Sequence, residues 1–393
     1  SDTGECHSVR NTQRQTGRLY KISYGTAQPA KLELSTASNE RLVELQTHKN
    51  DWFVRHARRL LQERASSGVE MGLTVERLRA MFETETDVPR KLRALWALHV
   101  VGGLDAAALL KHLEDPSEHV RVWAIQLLVK NRRKGSKNSP VVTSDLSQSA
   151  ELSPSALQKL INLSVADPSP LVRLYLASAL QRLSFEFRWS IGEALAAHPE
   201  NNSDVNIPLM LWYGVEPLIH DDPLRFASLT STSKISTLRR HGARRIASLV
   251  SDEARAELLT EVLTRARDAE SQSDVLNGIL RGLEGRRRVT VPPYWRETYA
   301  RLQESENEDV RQRSIQLALI FDDKDAIAQL KRVAEDRSEK STKRVVAIDS
   351  LVASRVYGFA DVLLRLIDDE AVLSNVLRGL AEYDHPDTVQ AIL

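Results

Sequence analysis

One short pattern recurs along the chain, and its clearest copies are Asp115-Pro116-Ser117-Glu118-His119-Val120-Arg121 and Asp167-Pro168-Ser169-Pro170-Leu171-Val172-Arg173. Each copy predicts a turn between two helices, because aspartate accepts the free N–H groups of a helix start and proline suits the first helical turn. The helix that follows carries an apolar stripe with helical spacing, formed by Val172, Leu176, Ala179, Leu180 and Leu183. One helix pair cannot bury such a stripe alone, so we expect neighbouring pairs to stack on it.

Looser copies of the pattern extend this array in both directions. The arginines of all copies are Arg55, Arg93, Arg121, Arg173, Arg239, Arg311 and Arg344. Three of the intervals between them, 38, 28 and 33 residues, fit a repeat of two helices. The interval of 72 indicates a further pair near residues 274–285, the intervals of 52 and 66 indicate insertions, and residues 368–380 look like a last, degenerate copy. The sequence therefore predicts about eight or nine repeats.

Two segments break this rhythm. Residues 131–155 are rich in Ser, Lys and Asn and contain Pro140 and Pro154, which predicts a flexible insertion. Residues 17–25 alternate with a period of two, which is typical of a strand. We therefore predict a β or extended remnant of an upstream domain plus a linker over residues 1–35. Residues 36–393 are predicted to form an all-α superhelix, a HEAT-like repeat solenoid, and we expect the sequence to be a piece of a longer protein.

Composition narrows the classes of function. The 54 basic and 53 acidic residues nearly cancel, so the chain as a whole has no field that attracts nucleic acid or an anionic membrane. A single cysteine, Cys6, excludes an internal disulfide. No run of residues approaches the ~20 apolar residues of a membrane-spanning helix.

The repeated Asp and Arg resemble the HEAT-repeat family, in which an aspartate and the arginine six residues later form a ladder between neighbouring repeats. Three copies match that spacing in full: Asp87 with Arg93, Asp115 with Arg121, and Asp167 with Arg173. In the other copies the aspartate is replaced, and the resemblance implies a broken ladder there. The replacing residues are Lys49, Ser233, Ser305 and Ser338.

Several residues are candidates for a binding surface, each with a structural alternative. Trp96, Trp123 and Tyr175 hold similar places in successive second helices; they form either an aromatic binding stripe or core packing.

Basic clusters include Arg58, Arg240 and Arg244, which either hold an anion or nucleic acid or are solvated charges paired with nearby acids. Trp212 and Tyr213 lie with Glu216 between two prolines, an irregularity that indicates either a small-ligand groove between helices or a kinked connection.

No pattern that carries chemistry is present. The chain has no HExxH, P-loop, nucleophile elbow or CxxCH, and its neighbouring acid pairs look like turn and capping residues. We therefore predict no catalytic, cofactor-binding or metal-binding residue and no enzymatic activity for this chain.

Longer runs resemble one particular family, the planctomycete-type membrane-bound dehydrogenases. The opening residues 2–7 and 17–25 look like the last strand region of that family's β-propeller. Further similar runs follow at residues 45–59, 92–99, 173–183 and 208–217. In such proteins a propeller with dehydrogenase activity precedes a HEAT region, and a c-type cytochrome domain follows it.

This resemblance implies a bacterial, extracytoplasmic redox protein of the cell envelope, in which haem c and electron transfer belong to a downstream domain. The first hypothesis is thus a scaffold that binds neighbouring domains of its own polypeptide or another protein. The alternatives are a HEAT-like nucleic-acid-binding protein, against which the balanced charge argues, and a small-ligand groove.

Overall fold

A computed structural model describes residues 24–25, 33–130, 152–286 and 289–393, and over these residues the chain forms helices and no strand. The predicted all-α, solenoid-like repeat fold is confirmed. The predicted strand at 17–25 lies outside the described residues except for Tyr24 and Gly25, and so does most of the insertion predicted at 131–155. The chain divides into two compact units, one ending at Gly103 and one beginning at Leu104.

The first unit contains two helix pairs. Its helices are α1 (Asn39–Glu44), α2 (Asp51–Ser66), α3 (Gly72–Thr84) and α4 (Val88–Val100). Helix α1 packs on α3 and α2 packs on α4, so the pairs stack with like helices in contact. Leu42, Leu61 and Leu95 are completely buried between them.

The second unit contains eight more pairs and one short final helix. Its helices are α5 (Ala106–His112), α6 (Glu118–Leu128), α7 (Pro154–Ala166), α8 (Pro170–Leu180), α9 (Phe185–Ala196), α10 (Ile207–Val215), α11 (Pro223–Thr232), α12 (Ser236–Ala247), α13 (Asp252–Arg265), α14 (Ala269–Leu283), α15 (Trp295–Gln303), α16 (Glu308–Ile320), α17 (Lys324–Glu335), α18 (Ser341–Ala353), α19 (Ala360–Arg365), α20 (Leu373–Leu380) and α21 (Thr388–Ile392). Short 3-10 turns occur at Leu45–Thr47, Pro199–Ser203 and Glu216–His220.

The helices of the second unit form two layers. Even-numbered helices pack in sequence from α6 to α20, while odd-numbered helices form the other layer through contacts such as α7 on α9 and α11 on α13. Each odd helix also packs on the even helix that follows it. One face of the even-numbered helices is therefore turned away from the odd layer, and we call it the even-helix face.

The predicted apolar stripes form the core. In α8, Val172, Leu176 and Leu180 are completely buried. In α16, Val310, Leu317 and Ala318 are completely buried. The periodicity of the sequence therefore identifies the buried sides of these helices correctly.

The Asp-Pro turns are built differently from the prediction. Asp167 does not cap α8; Ser169 does, because its Oγ accepts the N–H of Val172 at 3.2 Å. The carboxylate of Asp167 instead accepts the N–H of Ser169 at 2.9 Å, which shapes the turn. Elsewhere an aspartate does cap, as Asp222 does at the start of α11.

Two boundaries also differ from the prediction. The interval of 66 residues between Arg173 and Arg239 is not an insertion in a repeat, because it holds the complete pair α9 and α10. The described residues thus contain ten helix pairs rather than eight or nine. The predicted insertion ends before Pro154, which opens α7 after the cap formed by Ser153.

Candidate interaction surface

Five arginines make the same local hydrogen bond. Each donates from Nη1 to the carbonyl oxygen six residues earlier, at the end of the preceding helix or just after it; they are Arg121, Arg173, Arg239, Arg255 and Arg311. Carbonyl groups at a helix end lack partners within the helix, so a guanidinium there satisfies an otherwise unpaired acceptor. The arginine of the repeated pattern therefore stabilises the turn that precedes its own helix.

Three of these guanidinium groups, those of Arg121, Arg173 and Arg239, also reach into the following repeat. Arg121 donates from Nε and Nη2 to the two carboxylate oxygens of Asp167 at 2.7 and 2.9 Å. Arg173 donates from Nε to Oδ1 of Asn201 at 2.8 Å. Asp167 and Arg173 are buried, so the contacts join successive helix pairs away from solvent.

The resemblance to HEAT repeats implies a broken ladder where Ser233 and Ser338 replace the aspartate, and the structure differs. Arg239 bonds to Oδ2 of Asp274 at 2.8 and 2.6 Å, and Arg344 bonds to Oδ2 of Asp369 at 2.7 Å. Both acceptors lie in the predicted copies that lack the full Asp and Arg spacing, so the sequence did not identify them as ladder residues.

The first unit has a different arrangement. Asp87 caps α4 by accepting the N–H of Arg90 at 3.0 Å, rather than pairing with Arg93. Arg93 instead reaches back to Asp51, with Nη2 and Oδ1 3.3 Å apart, and to the carbonyl of His48. The aspartate and the arginine six residues later therefore serve separate purposes here.

Trp96 and Arg58 contact each other within the first unit. The guanidinium carbon of Arg58 lies 5.2 Å from the centre of the Trp96 ring, a cation–π geometry. Burial lowers the pKa of Arg58; the charges of Arg55 and Arg93 lower it too, while Asp51 opposes them. The Nη1 atom of Arg58 is buried, while the residue as a whole is half-buried.

The other two aromatic candidates lie in the second unit. Trp123 in α6 and Tyr175 in α8 are both half-buried. Tyr175 packs against the hydrophobic core.

The segment with Trp212 also places its residues in separate environments. The ring of Trp212 packs edge-on against His241 in α12, with centroids 5.3 Å apart. Glu216 accepts a hydrogen bond from Nε of Arg245 at 2.6 Å. Tyr213 is the exception, since 51% of its surface is exposed, and Leu209 one turn earlier is 40% exposed.

Helix α12 orients its arginines in different directions. Gly242 faces α11, where an added Cβ would meet Oγ1 of Thr230 at 2.3 Å. Positions two residues away lie about 200° around the helix, so Arg240 and Arg244 point to the even-helix face. Arg240 lies 3.3 Å from Oδ1 of Asp274, whereas Arg244 is exposed and has no ion pair among the described residues.

Arg281, on the neighbouring helix α14, was not among the residues predicted from the sequence. Gly278 and Gly282 let α14 approach α12 closely, since a Cβ on Gly278 would lie 2.3 Å from the carbonyl oxygen of Arg240. Ile279 is completely buried on one flank of that contact line, while Arg281 is exposed on the other flank. The four-residue spacing of Gly278 and Gly282 is the sequence feature that could have predicted this close approach of the two helices.

The remaining basic clusters are occupied or undescribed. Arg59 lies 3.2 Å from Glu63, and Arg286 donates to the carbonyl of Ser248 at 3.0 Å. Residues 132–134 and 287–288 lie outside the described residues. Arg244 and Arg281 are exposed, and Gly282, next to Arg281, lies against the carbonyl of Arg244. We call these two arginines, with Arg240, Tyr213 and Leu209, the α10–α14 surface.

A concave site occurs elsewhere in the second unit. It has a volume of about 410 Å³ and is lined by Tyr294, Trp295 and Asp322 among others. Tyr294 and Asp322 both have left-handed backbone conformations, with φ of 57° and 53°. The indole N–H of Trp295 donates to Oδ2 of Asp323 at 2.8 Å, so a partly buried contact between successive helix pairs lies at the edge of this open depression.

Among the described residues, no cluster of three or more His, Cys, Asp or Glu side chains could hold a metal ion. Within the same ranges, every helix is too short or too polar to cross a membrane. Compared with models of protein families and with curated protein sequences, the chain has no match.

Proposed function

We propose that this chain is a non-catalytic, HEAT-like scaffold for protein binding. The observation that supports the proposal best is the set of buried contacts that joins successive helix pairs in the second unit, such as Arg121 to Asp167 and Arg239 to Asp274. Burying an ion pair is costly, and its best-attested use is to fix register between packed elements. An array with fixed register holds attached domains at a defined separation.

The more specific proposal rests on the resemblance in sequence. The chain would connect a propeller dehydrogenase domain to a c-type cytochrome domain within one extracytoplasmic protein, and haem would belong to the cytochrome domain. The coding sequence on both sides of this segment tests that assignment directly. We expect propeller repeats before it and a CxxCH motif after it; flanking sequence without either would reject the redox assignment.

The scaffold function itself has a separate test. The chain and each flanking domain are produced independently, and their association is measured by calorimetry. We expect at least one flanking domain to bind, while the chain alone shows no haem absorption band and reduces no electron acceptor. Dehydrogenase activity or bound haem in the isolated chain would contradict the proposal.

A further inference from the structure

The α10–α14 surface combines an apolar end with a cationic end. Leu209 and Tyr213 project from α10 one helical turn apart, and both are substantially exposed. Arg244 projects from α12 and Arg281 from α14, on the same even-helix face. Exposed tyrosine and arginine are the residue types that dominate the energy of protein interfaces.

Two carboxylates near this surface are already bonded to other side chains. Asp274 is buried and accepts from Arg239 and Ser236, and Glu216 accepts from Arg245. Among the described residues, Arg281 donates only to the amide oxygen of Asn277, at 3.1 Å. The surface thus keeps two positive charges without carboxylate partners among the described residues, in a chain whose net charge is only +1.

The local electrostatic environment agrees with an excess of positive charge. His241 lies between Arg240 and Arg244 in the sequence of α12 and is half-buried against Trp212. Burial lowers the pKa of His241, and repulsion from Arg240 and Arg244 lowers it further. An anion that docks at Arg244 would relieve that repulsion.

We infer that the α10–α14 surface binds a short, extended, acidic segment of a partner protein. Its carboxylates pair with Arg244 and Arg281, and an apolar side chain packs on Tyr213 and Leu209. This inference rests on the proposed scaffold function and assigns it a binding site.

The dimensions of the surface suit such a segment. Neighbouring packed helices lie about 8–10 Å apart, so α10 and α14 are roughly 16–20 Å apart. An extended chain covers this distance with about five or six residues at ~3.3 Å each.

Nucleic acid is a poorer match for the same surface. Affinity for a phosphate backbone comes from many simultaneous contacts, typically about 6–10 in a well-bound duplex. On this surface, Arg244 and Arg281 have no ion pair with a described residue, and Arg240 is shared with Asp274. The adjoining apolar patch of Leu209 and Tyr213 favours a peptide that offers both carboxylates and an apolar side chain.

The test uses the full chain and a fluorescein-labelled peptide of glutamates that ends in leucine, with binding followed by fluorescence anisotropy. The double variant R244A/R281A should weaken binding about tenfold or more, which is about 1.4 kcal/mol or more, because both charged hydrogen-bond donors to the peptide are lost. The variant R244K/R281K should retain most of the affinity, since it keeps both charges. A matched control is R378A, which removes an exposed arginine of α20 that donates only to the carbonyl of Ser374.

A second readout separates docking at this surface from binding elsewhere. The pKa of His241, followed by NMR, should rise when the peptide binds the wild type, and R244A should raise it without peptide. Equal peptide binding by wild type and R244A/R281A, or no binding by wild type, would overturn the inference. A single-stranded oligonucleotide that binds more tightly than the peptide, and loses that affinity in R244A/R281A, would overturn the assignment to a protein segment.

Failure here is distinguishable from failure of the scaffold function. If a flanking domain binds wild type and R244A/R281A equally well, the scaffold proposal stands and this surface is rejected. If no flanking domain binds while the peptide still depends on Arg244 and Arg281, the surface stands and the scaffold proposal is rejected.

Discussion

Replacing Arg239 with methionine tests the buried contacts between helix pairs most directly. Arg239 is 3% exposed and donates to Asp274, to Glu270 and to the carbonyl of Ser233. Methionine keeps much of the volume and removes the charge. The variant leaves Asp274, itself 8% exposed, without its shortest partner.

The expected cost follows from what remains around that carboxylate. Breaking a buried ion pair typically costs ~3–5 kcal/mol, because one charge stays buried and uncompensated. Asp274 still accepts from Ser236 at 2.8 Å and lies 3.3 Å from Arg240, so compensation is partial. We therefore expect R239M to lower the free energy of unfolding by about 2–3 kcal/mol.

Urea denaturation followed by far-UV circular dichroism measures this loss, with R245M as the matched control on the same helix. Arg245 pairs with Glu216, but both side chains are partly exposed, so its loss should cost ~1 kcal/mol or less. A double-mutant cycle of R239M with D274N should give a coupling energy of about 1–2 kcal/mol. If R239M costs no more than R245M, or the coupling energy is below ~0.5 kcal/mol, the buried pair does not stabilise the array.

Three further outcomes are expected. Although alanine favours a helix over glycine by ~1 kcal/mol, Gly278→Ala should lower the free energy of unfolding by about 1–2 kcal/mol, because its Cβ meets a backbone carbonyl of α12 at 2.3 Å; urea denaturation that shows a gain would contradict this. The side-chain hydrogen bond from Arg344 lowers the pKa of Asp369. The ionised Asp369 therefore stabilises the fold fully above the unfolded pKa of about 3.9, and this stabilisation is lost as the pH falls through the lower pKa of the folded state. The difference in unfolding free energy between wild type and D369N should shrink below about pH 3.9 and stay constant above it. Burial and the charge of Asp323 raise the pKa of Tyr299 to about 12, so a spectrophotometric titration compared with Y299F should show one late-ionising tyrosine, and D323N should bring it earlier.

Local periodicity predicted the helices well where one pattern contained both the turn and the stripe. Helix α8 is such a case, since its apolar spacing alone identifies Val172, Leu176 and Leu180 as core residues. The pair α9 and α10 was missed because α10 lacks the arginine that marks the other repeats. The buried arginine of this pair is Arg188 in α9, which donates to the carbonyls of Leu183 and Gly214.

Partners across repeats were predicted only where the full pattern is present. The ladder that the HEAT resemblance implies joins neighbouring repeats, and Arg121 does pair with the carboxylate of Asp167, 46 residues later. The stacking distance between helix pairs, not spacing along the chain, decides which acid is within reach. The same reason explains why Asp274 was not foreseen as the partner of Arg239.

Helix α12 shows why a cluster of basic residues in a sequence does not identify a binding site. Because each residue turns the helix by about 100°, its four arginines point in different directions. Arg239 faces α14 and is buried, and Arg245 turns towards α10 and pairs with Glu216. Arg240 is shared with a buried carboxylate, which leaves only Arg244 with its full charge available to a partner. Of these four arginines, Arg239 and Arg245 thus join neighbouring helices, Arg240 is partly paired, and Arg244 is an exposed cation. The angular position of each residue around the helix decides its role.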